Sequence, residues 1–104
     1  MELREKYNKL QNEVYYEFQK LAQKETIFSE GEEPIIDIID EINGGIYSVE
    51  VLSIVGGIIR AKDMEDNNRV ENYSVSDIAN ITCVINLIED IRAKNSPKDL
   101  YLSL

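Results

Sequence analysis

Residues 47–63 read YSVEVLSIVGGIIRAKD, a stretch dense in β-branched residues and split by a glycine pair. Such residues fit a pleated, half-buried surface, so the segment predicts two strands joined at Gly56-Gly57. In residues 46–55 the odd positions Tyr47, Val49, Val51 and Val55 are predicted to face the core. Ser48, Glu50, Leu52 and Ile54 then take the other face. A plain two-residue turn would set Glu50 opposite Asp63, a like-charge pair. A bulged three-residue loop instead opposes Glu50 to Lys62 and Val51 to Ala61, keeping charge and burial consistent, and is the expected form. After the turn-forming Asp63–Asn68, the chain is expected to return over Arg69–Ser74 with Glu71 opposite Lys62. Residues 46–75 therefore predict an antiparallel meander.

Upstream, Leu3, Tyr7, Leu10, Val14, Phe18 and Leu21 fall within about 80° of arc on a helical wheel. They predict one amphipathic helix across residues 1–24. Its mean period lies nearer 3.6 than 3.5 residues, which favours packing on a sheet over a long coiled coil. Residues 25–45 form an acidic connecting segment that starts with a short strand at Thr26–Ser29 and turns at Glu30–Glu33. Within it, Pro34 suits a first helical position and Gly44 a C-terminal cap, so 34–42 is read as a short helix, although five isoleucines also suit a strand. Downstream, Ser76-Asp77 is expected to open a second long helix, 76–94. Its apolar face carries Ile78, Ile81, Val84, Ile85, Ile88 and Ile91, and Asn95 and Pro97 end it. Residues 95–104 form a leucine-rich tail, read either as an edge strand or as a segment that orders on a partner. The expected architecture is a single α+β domain over residues 1–104. It is an antiparallel three- to four-stranded meander packed on one face by two long helices, N-terminal and C-terminal.

The chain has 104 residues and a formal net charge of −9. The charge is uneven: residues 1–24 hold five bases and four acids, whereas residues 25–50 hold eight acids and no base. Nucleic acid is not an expected ligand, because phosphate contacts need Lys and Arg, and an anionic membrane surface would repel such a chain. No apolar run approaches the roughly 20 residues that cross a bilayer. The amphipathic, charged N-terminus lacks the apolar core of a signal peptide, and one cysteine cannot form an internal disulfide. A cytoplasmic location is expected.

The sequence has no histidine, which removes the commonest general base and metal ligand. Cys83 has no adjacent cation to activate its thiol. Asp63–Asn68 lacks the glycine and terminal glutamate of a calcium loop, and the glycine pairs at 44–45 and 56–57 lack a phosphate-binding context. No catalytic residue, metal or cofactor is assigned. The expected contact charges are Glu32, Glu33, Asp37, Asp40 and Glu41, an acidic face suited to docking a basic protein. A structural homodimer through the Tyr15/Tyr16 side of the first helix or through the tail is the alternative. A small enzyme with a carboxylate-based site is the remaining one.

Taken together, Tyr47–Val55, Gly56-Gly57, the Asp63–Asn68 turn and the run from Val75-Ser-Asp-Ile-Ala to Ile91 resemble small uncharacterised α+β proteins of gut bacteria and their mobile elements. The resemblance implies the same fold and a bacterial cytoplasmic setting. That family has no assigned activity, so no functional residues carry over. The functional expectation is a non-catalytic protein-interaction module, in its sharper form an acidic inhibitor or immunity-type protein.

Overall fold

The computed structural model describes residues 2–95. In chain order these form α1 (Glu2–Leu21), β1 (Thr26–Ile27), β2 (Ile35–Ile39), β3 (Ile46–Val55), β4 (Ile58–Asp63), β5 (Arg69–Tyr73), a 3-10 turn (Val75–Asp77) and α2 (Ile81–Asn95). The five strands make one antiparallel sheet with two helices packed against it, an α+β fold. Strand β3 is its axis: β4 and then β5 follow on one side, while β1 and β2 share the other edge end to end. No helix among the described residues is long and apolar enough to cross a membrane. The tail beyond Asn95 lies outside the described residues.

The β3–β4 register places Glu50 opposite Lys62 and Val51 opposite Ala61, as the charges demand. The extra residue that makes this register fit is not in the loop. Val55 pairs directly with Ile58, so the turn is the two-residue Gly56-Gly57, with φ of 57° and 79°. Two consecutive left-handed residues match the twist of the flanking strands, which is why glycine occupies both. The extra residue sits instead at Leu52, a bulge between the Val51–Ala61 and Ser53–Arg60 pairs. A bulge reverses the in–out parity beyond it. Ile54 is therefore buried and Val55 exposed, the opposite of simple alternation. The Leu52 carbonyl still finds a donor, the Phe28 N–H at 3.0 Å.

Three further expectations are corrected. Residues 35–39 form strand β2, not a helix, pairing with Glu50–Ile46 of β3. Asp40 does not interrupt the apolar face because the strand ends at Ile39; Ile36 and Ile38 point inward, at 2% and 1% exposure. Glu71 lies opposite Ala61 rather than Lys62, because Asp63 pairs with Arg69 and the turn between them is longer than expected. Ser76-Asp77 close a 3-10 turn capped by Ser74 and open no long helix, and α2 begins at Ile81. In between, Ile78 bridges to Ile38 and the Ala79 N–H donates to the Asp37 carbonyl at 2.8 Å. The chain thus ties itself to the free edge of β2 before turning helical.

The core joins Phe18 and Ala22 at the end of α1 to Val84, Leu87, Ile88 and Ile91 of α2 and to the inner face of the sheet. The Gly56 and Gly57 N–H groups donate to the Gln23 and Ala22 carbonyls, satisfying acceptors that a helix end leaves open. At the other corner Asn95 Nδ2 donates to the buried Thr26 Oγ1 at 3.1 Å, which pins the end of α2 to β1. Helix α1 is buried only at this end. Along the same stripe Leu3, Tyr7 and Leu10 are exposed, so only the second half of the helix is taken up, chiefly against α2.

Candidate functional site

A meander alternates its turns between two ends. With the β3–β4 turn at one end, the β2–β3 turn (residues 40–45) and the β4–β5 turn (residues 64–68) share the other. Both are rich in acids, and β5 adds polar residues on its inner face at Arg69 and Glu71. The result is an open groove of about 620 Å³. Asp40, Glu41, Asp63, Glu65, Asp66, Glu71 and Asp77 line it, seven carboxylates against the single guanidinium of Arg69.

Each wall has a local cause. Asp40 accepts hydrogen bonds on Oδ1 from the Ile42 and Asn43 N–H groups at 3.1 and 3.0 Å. The bond from the Asn43 backbone, reinforced by that from Ile42, holds its carboxyl below the usual range for aspartate and keeps it charged. Asp63 is buried at 7% exposure, and its Oδ1 accepts from the Glu65 N–H at 3.0 Å, shaping the second turn. Asn67 and Asn68 complete that turn in the left-handed region, which asparagine tolerates. Arg69 reaches Asp66 at 3.2 Å and Glu71 at 3.3 Å, so its own charge is already engaged. Asp77 accepts from the Ser74 N–H at 2.8 Å, which closes the 3-10 turn on the groove's side.

The floor is aromatic. Tyr47 and Tyr73 meet edge to face, their centroids 6.5 Å apart, and the Tyr47 hydroxyl lies 3.2 Å from that of Tyr73. Tyr73 donates onward to Glu71 Oε2 at 3.3 Å. Burial of the Tyr73 phenol raises its pKa well above the usual value for tyrosine, with the Tyr47 hydrogen bond and the Glu71 charge acting in the same direction. The hydroxyl therefore stays protonated and donates toward the carboxylate. Ile42, exposed at 93%, and Ile39 add apolar surface at the rim. The groove can hold an aliphatic stem against its rings and isoleucines while carboxylates receive a cationic head. Among the described residues, no three carboxylate or thiol groups are arranged to hold a metal ion.

The five contact charges read from the sequence are separated. Asp40 and Glu41 line the groove. Asp37 is half-buried and engaged elsewhere: its Oδ1 accepts from Ser48 Oγ at 2.8 Å, and its Oδ2 faces the Cys83 thiol at 3.9 Å. Glu33 accepts from the Gly31 N–H and shapes its own turn. Glu32 stands near Lys94 at 3.9 Å, on the helix side of the molecule. There a smaller depression lies between Phe28 and Asp90. Partial burial, helped by the charge of Glu89, raises the pKa of the Asp90 carboxyl, while the residue itself is exposed. The groove's remaining acids, Asp63, Glu65, Asp66, Glu71 and Asp77, come from residues outside the acidic quarter of the chain. The signal for them was the Asn43-Gly44-Gly45 run. Read as a hairpin turn, it carries Asp40 and Glu41 to the end where Asp63–Asn68 also turns.

Comparison of the chain with protein-family models, curated proteins and solved structures found no match.

Proposed function

We propose that the protein is a non-catalytic interaction module whose acidic groove receives a lysine- or arginine-bearing segment of a basic partner. The observation that carries this reading is the convergence of seven carboxylates around a tyrosine pair, with one guanidinium already held by two of them. Convergent charge of one sign speeds encounter with a partner of opposite sign, and the apolar floor adds contact once the ions meet. An inhibitor or immunity-type role follows if the partner's captured segment is the one its own activity needs. The resemblance of residues 47–91 supports a bacterial cytoplasmic setting for that pair.

Calorimetric titration with an oligolysine peptide at low and high salt tests the proposal. Binding is expected at low salt and weakens as salt screens the charges. The exposed pair Glu41→Lys and Glu65→Lys, made together, is expected to reduce affinity at least about tenfold without changing the melting temperature. Equal binding by the double variant would refute the groove as the receiving surface.

A further inference from the structure

The first half of α1 carries an apolar seam that the domain does not use. Leu3, Tyr7 and Leu10 are 83%, 51% and 49% exposed, and Val14 is half-buried where the helix meets the core. Their spacing of four, three, four lets them occupy the d, a, d and a positions of a heptad while keeping the period of the whole stripe. Burial becomes complete at Phe18. The seam leaves this apolar face exposed.

We infer that the occupant is a second copy of this chain, with the two α1 helices antiparallel about a two-fold axis between residues 8 and 9. In that arrangement Leu3 packs on the partner's Val14 and Tyr7 on the partner's Leu10, each layer twice by symmetry. Charge chooses the same arrangement. Lys6 and Glu13 both flank the seam on one side and both are exposed. Antiparallel pairing sets Lys6 beside the partner's Glu13 at both ends, whereas a parallel pair would set Lys6 beside the uncharged Gln11. The rest of the molecule agrees: residues 1–24 are close to neutral and the acidic excess lies beyond them. Antiparallel helices join two chains through a nearly neutral element and hold the acidic bodies at opposite ends. The acidic groove stays open in such a dimer, since it is lined only by residues from Ile38 onward.

The seam spans about 17 Å of helix, so the association is concentration-dependent. Sedimentation of the full chain from low to high micromolar concentration is expected to show the mass rising from one chain to two. Leu10→Glu, at a half-exposed position, is expected to stay at one chain with unchanged helix content and melting temperature. Lys6→Glu is expected to weaken dimerisation about tenfold, and adding Glu13→Lys to restore it, because the swap rebuilds both ion pairs. A mass of one chain at every concentration would overturn the inference and give the seam to a different occupant. Undiminished dimerisation by Leu10→Glu, or a charge swap that restores nothing, would overturn it as well.

Discussion

The two edges of the sheet face the same interior yet are built differently. At the β2 edge, Ile36 and Ile38 alternate with Asp37, and α2 covers them with Val84, Leu87, Ile88 and Ile91. At the β5 edge the inward positions are Arg69, Glu71 and Tyr73, and the groove lies there instead of a helix. Strand β4, between them, changes character along its length, from buried Ile59 and Ala61 to buried Asp63. Stability is thus concentrated on the helix-covered side, and polar groups gather where no helix has to be seated. The difference separates the residues that hold the protein together from those free to meet a partner.

Substitutions on the two edges put that division to the test. Ile38→Ala removes a side chain at 1% exposure and is expected to cost about 2–5 kcal/mol in denaturant unfolding. Glu71→Gln, at the other edge, keeps the shape and is expected to change stability by less than about 0.5 kcal/mol. Comparable losses at both positions would erase the distinction.

A smaller effect is expected from the groove's aromatic floor at alkaline pH. Of the six tyrosines, Tyr73 has its pKa raised by burial, so the folded protein holds that proton more tightly than the unfolded chain. The stability this contributes is complete below the ordinary tyrosine value near 10 and is lost as pH rises above it toward the folded value. Ultraviolet titration is expected to show one late phenolate, absent in Tyr73→Phe. A variant that keeps the late phase would mean that Tyr73 is not the buried phenol.

The least effect is expected where the helices meet at the surface. Glu17 pairs with Lys20 and, at 2.7 Å, with Arg92 of α2; the Lys20 hydrogen bond is the first cause of its lowered pKa. The pairing therefore operates above the ordinary glutamate value and fades as pH falls through the lowered one. All three side chains are solvent-accessible, and Glu17→Gln is expected to leave the neutral-pH melting temperature unchanged within error. A clear drop would show that this ion pair, and not the buried cluster, sets the packing of the helices.

Much of this architecture can be read from local chemistry. The like-charge conflict between Glu50 and Asp63 was enough to find the β3–β4 register, because a one-residue slip moves every side chain. It could not distinguish an extra residue in the loop from one at Leu52, since either satisfies the same pairs beyond it. The five isoleucines of 35–42 were ambiguous because their wheel is two-sided; the partner strand Ile46–Glu50 settled the matter through tertiary pairing. The site depends on that strand, for without a β2–β3 hairpin nothing brings Asp40 and Glu41 beside Asp63 and Asp66. In α1 one continuous apolar stripe runs from solvent into core, and its spacing does not mark where the surroundings change.

The most direct measurement is a residue-resolved amide NMR titration of the protein with an oligolysine peptide at low salt. Shifts are expected to cluster at residues 40–43, 63–69 and 71–77, the three segments that line the groove, and to fade on adding salt. Shifts centred on Glu32 and the Phe28–Asp90 depression, or spread evenly over the acidic surface, would contradict a built receiving site.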